Sequence, residues 1–281
     1  MGNEPDIGRD GGQQGMVVSD DGTEIVYERQ GNGPAVILVG GAFTDRSENA
    51  PLAVELATDF TVYNYDRRGR GESGDTPPYA VAREIEDLEA LLAVAGSGTG
   101  LPAAHVYGVS SGGALVLRAV AAGVPADRVA VYEVPYGLDD DIPANQHAYV
   151  EELEALLAED RRGDAAALFM RYAGATDEMI EGARNSPLWP GLEAVAPSLR
   201  YDAAVLGNGQ PPTDLLSRIT RPTLVATGDA GDEFFGRAAD ALLTTVPNAE
   251  RALLPGQSHR VDPKVLAPVL RRFFNSSNAA S

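Results

Sequence analysis

The 281-residue chain contains no cysteine. That absence removes disulfides, thiolate metal sites and cysteine nucleophiles together, and it fits a reducing cytoplasmic location. Basic charge is scarce: 22 Lys and Arg stand against 41 Asp and Glu, a formal net charge of −19. Such a balance repels nucleic acid and anionic membrane surfaces, so neither is an expected partner. No acidic block is long, and the excess therefore describes a solvated surface. No apolar run near the N-terminus serves as a signal-peptide core, and none elsewhere is long enough for a membrane span. Tryptophan occurs once and histidine three times.

What is present is 44% hydrophobic content, enough for a sizeable core. Its most informative stretch is Val106-Tyr107-Gly108-Val109-Ser110-Ser111-Gly112-Gly113-Ala114. A short apolar run stops at Gly-x-Ser-x-Gly and passes at once into the helix-forming segment from Leu115 to Ala122. A strand entering a helix without a loop must turn sharply, which holds the corner residue strained with its side chain exposed. Ser110 occupies that corner and is the candidate nucleophile. The helix N-terminus behind it presents free N–H groups.

Other segments supply a frame. Met16–Ser19 and Glu24–Arg29 flank an acidic-glycine turn and predict an edge hairpin. Ala35–Val39 is a continuous β-branched run suited to a strand buried on both faces, ending in Gly40-Gly41-Ala42-Phe43. A glycine pair there lets following N–H groups face a ligand, making Ala42 one candidate oxyanion donor and Ser111 the other. Phe60–Tyr65 predicts a strand feeding Asp66-Arg67-Arg68-Gly69-Arg70-Gly71-Glu72-Ser73-Gly74, which lacks the Gly-Lys-Ser/Thr ending of a phosphate loop and reads as a structural loop held by internal ion pairs. Val81–Val94 has helical spacing, the glycine-rich stretch from Gly96 to Gly100 reads as a linker, and Arg128–Tyr132 is a further strand.

From Tyr136 to Asp214 strands give way to helical patterns at Tyr149–Ala158, Ala165–Tyr172 and Glu178–Arg184. This segment, residues 136–214, is an inserted helical cap. Trp189 lies in it between Pro187 and Pro190, as core packing or as a pocket wall; it and Phe43 are the candidate substrate contacts. Strands at Pro222–Thr227 and Glu250–Leu254 alternate with helices at Glu233–Thr245 and Pro263–Phe274. Residues 16–135 and 215–274 therefore form an α/β core with a mostly parallel eight-stranded sheet and helices on both faces. Residues 1–15 and 275–281 read as disordered tails. Of the three histidines, only His259 lies on a loop at a strand's carboxyl end, where catalytic loops of α/β sheets gather, and it is the candidate general base.

Taken together these segments resemble the α/β-hydrolase fold family from Met16 to Phe274: the glycine loop at Gly40, the Asp66 loop, the Ser110 elbow, the cap and the late histidine follow in that family's order. The resemblance implies a Ser-acid-His triad and no metal or other cofactor. Family members commonly carry the acid three residues beyond a glycine that here is Gly228, which lands on Gly231; Asp229 and Asp232 flank that position. The other known placement falls on Glu133, at the end of the strand after the elbow, where a buried carboxylate would need a partner such as His259. Glu133 is favoured, with Asp232 as the alternative. Gly108-x-Ser-Ser-Gly, Glu133-x-Pro135, Trp189 and Pro255-Gly256-x-x-His259 further resemble the fungal zearalenone-lactonase group and many actinobacterial hydrolases. The implied activity is a serine esterase or lactonase acting on a small hydrophobic molecule, as a monomer or homodimer. The same machinery also serves carbon–carbon cleavage or cyclisation, and a binding protein without turnover is the non-enzymatic alternative.

Overall fold

A computed structural model describes residues 12–99 and 104–276. Its eight strands are β1 (Gln13–Val18), β2 (Glu24–Gln30), β3 (Ala35–Val39), β4 (Thr61–Tyr65), β5 (His105–Val109), β6 (Val129–Tyr132), β7 (Thr223–Gly228) and β8 (Ala249–Leu254). They form one sheet in the order β1-β2-β4-β3-β5-β6-β7-β8. The pairs β1·β2 and β2·β4 are antiparallel and every other pair is parallel. Every residue of β3, β4, β5 and β6 is buried. Helices cover both sides of these central strands, which is why their sequences are continuous apolar runs rather than alternating ones.

Helices α1 (Ala50–Leu56), α2 (Val81–Thr99) and α3 (Ser111–Ala121) lie in the first half. Between β6 and β7, where the sequence predicts a cap, lie α4 (Ile142–Ala158), α5 (Arg162–Tyr172), α6 (Asp177–Arg184), α7 (Trp189–Val195), α8 (Leu199–Leu206) and, across the expected boundary, α9 (Thr213–Leu216). The core closes with α10 (Glu233–Thr245) and α11 (Pro263–Phe274). Leu88, Leu115 and Leu242 pack on one face of the sheet, from α2, α3 and α10. Leu52, Leu266 and Phe273 pack on the other, from α1 and α11. A third apolar cluster joins α4 to α8, with Ala42 and Phe43 of the β3 loop packed against it. Among the described residues no helix is long and apolar enough to cross a membrane.

Several expectations need correction. Gln13, Gln14 and Gly15, taken for tail, pair with Arg29, Glu28 and Tyr27 in β1·β2, because an edge hairpin gains ladder hydrogen bonds whatever its composition. Residues 1–11 and 277–281 lie outside the described residues, while Asn275 closes α11 with its N–H on Arg271 O. The Gly96–Thr99 stretch, taken for linker, continues α2, and Gly100 lies outside the described residues. In the cap, α4 begins at Ile142 rather than Tyr149, with Pro143 in its first turn where a missing N–H is harmless. The same rule admits Pro190 at the start of α7.

His105 on β5 is buried, its ring stacked on Phe274 at 4.7 Å. Burial, opposed by the nearby Asp127 charge, pushes its pKa down to about 4. Folding thus favours the neutral ring relative to an unfolded value of about 6.5. This contribution to stability is complete above that unfolded value and is lost as the pH falls through the window down to about 4, an upper bound of about 3 kcal/mol. His105→Phe, which keeps the stack, should therefore flatten the loss of melting temperature on acidification across that window. An unchanged acid slope in a thermal-melt pH series would show that the ring does not govern it.

Candidate functional site

Strand β5 ends at Val109 and α3 starts at Ser111, so Ser110 alone makes the corner. Its φ of 54° and ψ of −127° are unusual for a residue with a Cβ and persist because the surroundings over-determine them. Ser110 N–H donates to Tyr132 O at 2.9 Å, while Ser110 O accepts from Gly113 N–H at 3.0 Å. A Cβ at Gly112 would lie 2.3 Å from Gly40 O, so only glycine lets α3 approach the end of β3 this closely.

His259 and Glu133 meet at the end of the neighbouring strand β6. Glu133 follows β6 with a positive φ of 47° and only 2% of its surface exposed. Its Oε1 accepts the Gly228 N–H at 3.0 Å, and its Oε2 lies 2.8 Å from His259 Nδ1. That contact commits Nδ1 as a donor and leaves Nε2 as the ring's available base. Phe235 stacks on the His259 ring at 4.6 Å with the planes 10° apart. The buried Tyr132 donates its hydroxyl to Ser258 O at 2.6 Å, holding the loop that carries the histidine. Burial and then the Glu133 charge push the Tyr132 hydroxyl's pKa well up, so it remains a donor.

The other acids are engaged elsewhere. Asp232 caps α10, accepting Phe234 N–H at 2.9 Å. Asp229 accepts Gly256 N–H at 2.6 Å. Gly231, the position between them, lies against the pair: a Cβ there would be 3.6 Å from Glu133 Oε1 and 3.9 Å from His259 N. His147 is on the cap surface, 3.3 Å from Glu151.

A Cβ at Gly41 would lie 3.2 Å from Ser110 Cβ, which places the β3 loop against Ser110. Neither the Ala42 N–H nor the Ser111 N–H has an acceptor among the described residues. N–H groups without a protein acceptor are what a developing oxyanion requires. Phe43, at φ 63°, packs its ring on Phe169 of α5 at 5.2 Å and joins loop to cap. Trp189 is 8% exposed within the cap cluster, with Arg184 over its ring at 4.9 Å. These are packing contacts. Trp189→Ala should therefore lower stability by about 3–5 kcal/mol, read as a large fall in melting temperature. Normal melting with impaired substrate binding would assign the ring to the pocket instead.

The Asp66 loop is held by ion pairs, but its arginines look outward from the loop for them. Arg67 makes two bonds to Glu84 of α2, at 2.7 and 2.8 Å, and Arg68 makes two to Asp87, at 2.8 and 2.7 Å. Arg67 and Arg70 both reach Asp202 of α8. The expectation of internal pairs gives way because three adjacent guanidinium groups need more buried acceptors than a nine-residue loop supplies. Phe235, Tyr132 and Asp202 carried no motif that would have singled them out. Among the described residues no group of three or more His, Asp or Glu is arranged to hold a metal ion.

A family model for the alpha/beta hydrolase family matches residues 36–269. The crystal structure of an alpha/beta hydrolase from Sphaerobacter thermophilus is 49% identical with a TM-score of 0.84, covering 93% of this chain and 100% of that one. An uncharacterized hydrolase of Bacillus subtilis, YraK, is 36% identical over 99 residues, 34% of this chain and 35% of the relative. The zearalenone hydrolase of Cladophialophora bantiana is 28% identical over 111 residues, 39% of this chain and 42% of the relative. The matched regions thus span well under half the length of both curated relatives.

Proposed function

The chain belongs to the alpha/beta hydrolase family, and from that premise we propose that it is a serine hydrolase cleaving an ester or lactone of a small hydrophobic molecule through an acyl-enzyme on Ser110. The observation that carries the reading is the pairing of a strained serine corner with the His259–Glu133 contact at 2.8 Å. In this mechanism His259 Nε2 takes the proton from Ser110 Oγ as that oxygen attacks the carbonyl carbon. The carbonyl π electrons move onto oxygen, where the Ala42 and Ser111 N–H groups receive the charge. Collapse expels the alkoxide, which leaves with the proton from His259. Water then attacks the acyl-enzyme by the same route, giving the acid and free serine. Glu133 keeps the imidazole in the required tautomer and stabilises its cation.

The lactone part of the proposal rests on the partial likeness to the zearalenone hydrolase and on the Glu133-x-Pro135 pattern. Treating the protein with a fluorophosphonate and mapping the adduct by mass spectrometry tests the nucleophile. A screen across acyl esters and macrolactones tests the substrate class. An adduct on Ser110 with ester or lactone turnover is the expected result; a protein that binds a hydrophobic ligand without acylating would replace the enzyme reading with a receptor.

A further inference from the structure

We propose that Arg70 and Asp202 are positioning residues of the oxyanion hole, through which helix α8 orients and strengthens the Ala42 donor and holds the residue that carries the other; the inference rests on the serine-hydrolase reading. Gly41 C=O and Ala42 N–H belong to one planar peptide and point in opposite directions. Arg70 Nη1 donates to Gly41 O at 2.5 Å. Holding that oxygen therefore fixes where the Ala42 N–H points. A cationic donor on the carbonyl also polarises the amide and makes its N–H a better donor.

The preceding peptide is clamped at both ends. Arg67 Nη1 donates to Gly40 O at 3.3 Å, and Glu48 Oε2 accepts the Gly41 N–H at 2.9 Å. Of the three N–H and C=O groups clamped here none is the Ala42 N–H, which stays free. The second donor is tied to the same system, since Ser111 Oγ donates to Asp202 Oδ1 at 2.8 Å.

Asp202 is the hub. It is 3% exposed on cap helix α8, accepts Arg70 Nη2 on both oxygens at 2.8 Å and accepts Arg67 Nη1 at 2.7 Å. One carboxylate thus bridges the two arginines that hold the β3 loop, Arg67 having Glu84 as its second partner, and anchors the residue after the nucleophile. Stability alone is a weak account of such a group, because buried ion pairs are often replaceable by apolar packing at no loss. The placement of the bonds explains it: one ends on the peptide that carries the Ala42 donor, and another on the hydroxyl of Ser111, the residue that carries the second.

The experiment compares Arg70→Met, Arg70→Lys and Asp202→Asn with the wild type. The readouts are kcat and KM on an activated ester, and the inhibition constants of a trifluoromethyl ketone and of its methyl ketone counterpart. The trifluoromethyl ketone adds to the serine as an oxyanion, whereas the methyl ketone reports ground-state binding. Arg70→Met should lower kcat by about 10²-fold and weaken the trifluoromethyl ketone in parallel, with KM and the methyl ketone little changed. Arg70→Lys should recover part of both, because it restores a cationic donor. Asp202→Asn should shift the same pair of readouts by a smaller factor. Should Arg70→Met not fold, the Lys and Asn variants decide. A trifluoromethyl ketone affinity that stays at the wild-type value while melting temperature falls would make these residues scaffolding and overturn the inference. Failure of the wild-type protein to acylate at Ser110 would instead overturn the hydrolase reading beneath it.

Discussion

Replacing Ser110 by alanine should remove ester turnover almost completely, by a factor on the order of 10⁶, the size of effect that loss of a serine nucleophile has where triad members act as one unit. The fold should survive the change. The corner is fixed by the backbone, through Ser110 N–H on Tyr132 O and Ser110 O beneath Gly113 N–H, and neither bond involves the deleted hydroxyl. Alanine meets the same strain at φ 54° as serine does. Melting temperature should therefore stay near that of the wild type while fluorophosphonate labelling disappears. Turnover that persists in a folded Ser110→Ala protein would remove the acyl-enzyme mechanism and, with it, the role given to His259.

How the sequence foretold this site differs from part to part, and the reason is distance along the chain. The elbow was legible because its determinants are local: a strand, a glycine spacing and a helix within a dozen residues. The buried strands were legible for the same reason, since a continuous β-branched run needs cover on both faces. The cap was legible only in outline. Its α7 and α8 lie among Pro187, Pro190 and Pro197, and proline at a helix start resembles a breaker until the start is seen. Helix α1 carries Pro51 in its first turn, which disguises its start in the same way.

The Asp66 loop shows the limit more sharply. Its three arginines announce ion pairs, but Asp202 is 132 residues from Arg70 and 135 from Arg67. Nothing local distinguishes Asp202 from the other acids of the cap. The partner of His259 falls between these cases. Sequence order offered both Glu133 and Asp232, and the three-dimensional structure separates them: Glu133, at a left-handed φ, turns a buried carboxylate onto His259, whereas Asp232 caps a helix at the surface.

That contrast sets the second large effect. Glu133→Gln should lower kcat by roughly 10⁴-fold, with Asp232→Asn close to the wild type, because asparagine caps a helix about as well as aspartate. The glutamine is nearly isosteric, so the loss comes from its donors. Glu133 accepts on both oxygens, from Gly228 N–H at 3.0 Å and from His259 Nδ1 at 2.8 Å. An amide has one acceptor oxygen. If that oxygen keeps the histidine, the NH₂ faces the Gly228 N–H, donor against donor. If it keeps Gly228, the NH₂ faces Nδ1 and forces the ring proton onto Nε2, where the histidine no longer serves as a base. Gly231 provides the complementary test. It is not among the positive-φ glycines, and a Cβ there would stand 3.6 Å from Glu133 Oε1, with room for a side chain once Glu133 is shortened. In a Glu133→Ala background, Gly231→Asp should restore a measurable part of kcat by returning a carboxylate to His259 from the neighbouring loop. A large loss from Asp232→Asn with Glu133→Gln near the wild type in steady-state kinetics would move the acid to the N-terminus of α10. Recovery in the double variant would instead show that the imidazole needs a carboxylate at Nδ1, from whichever strand end supplies it.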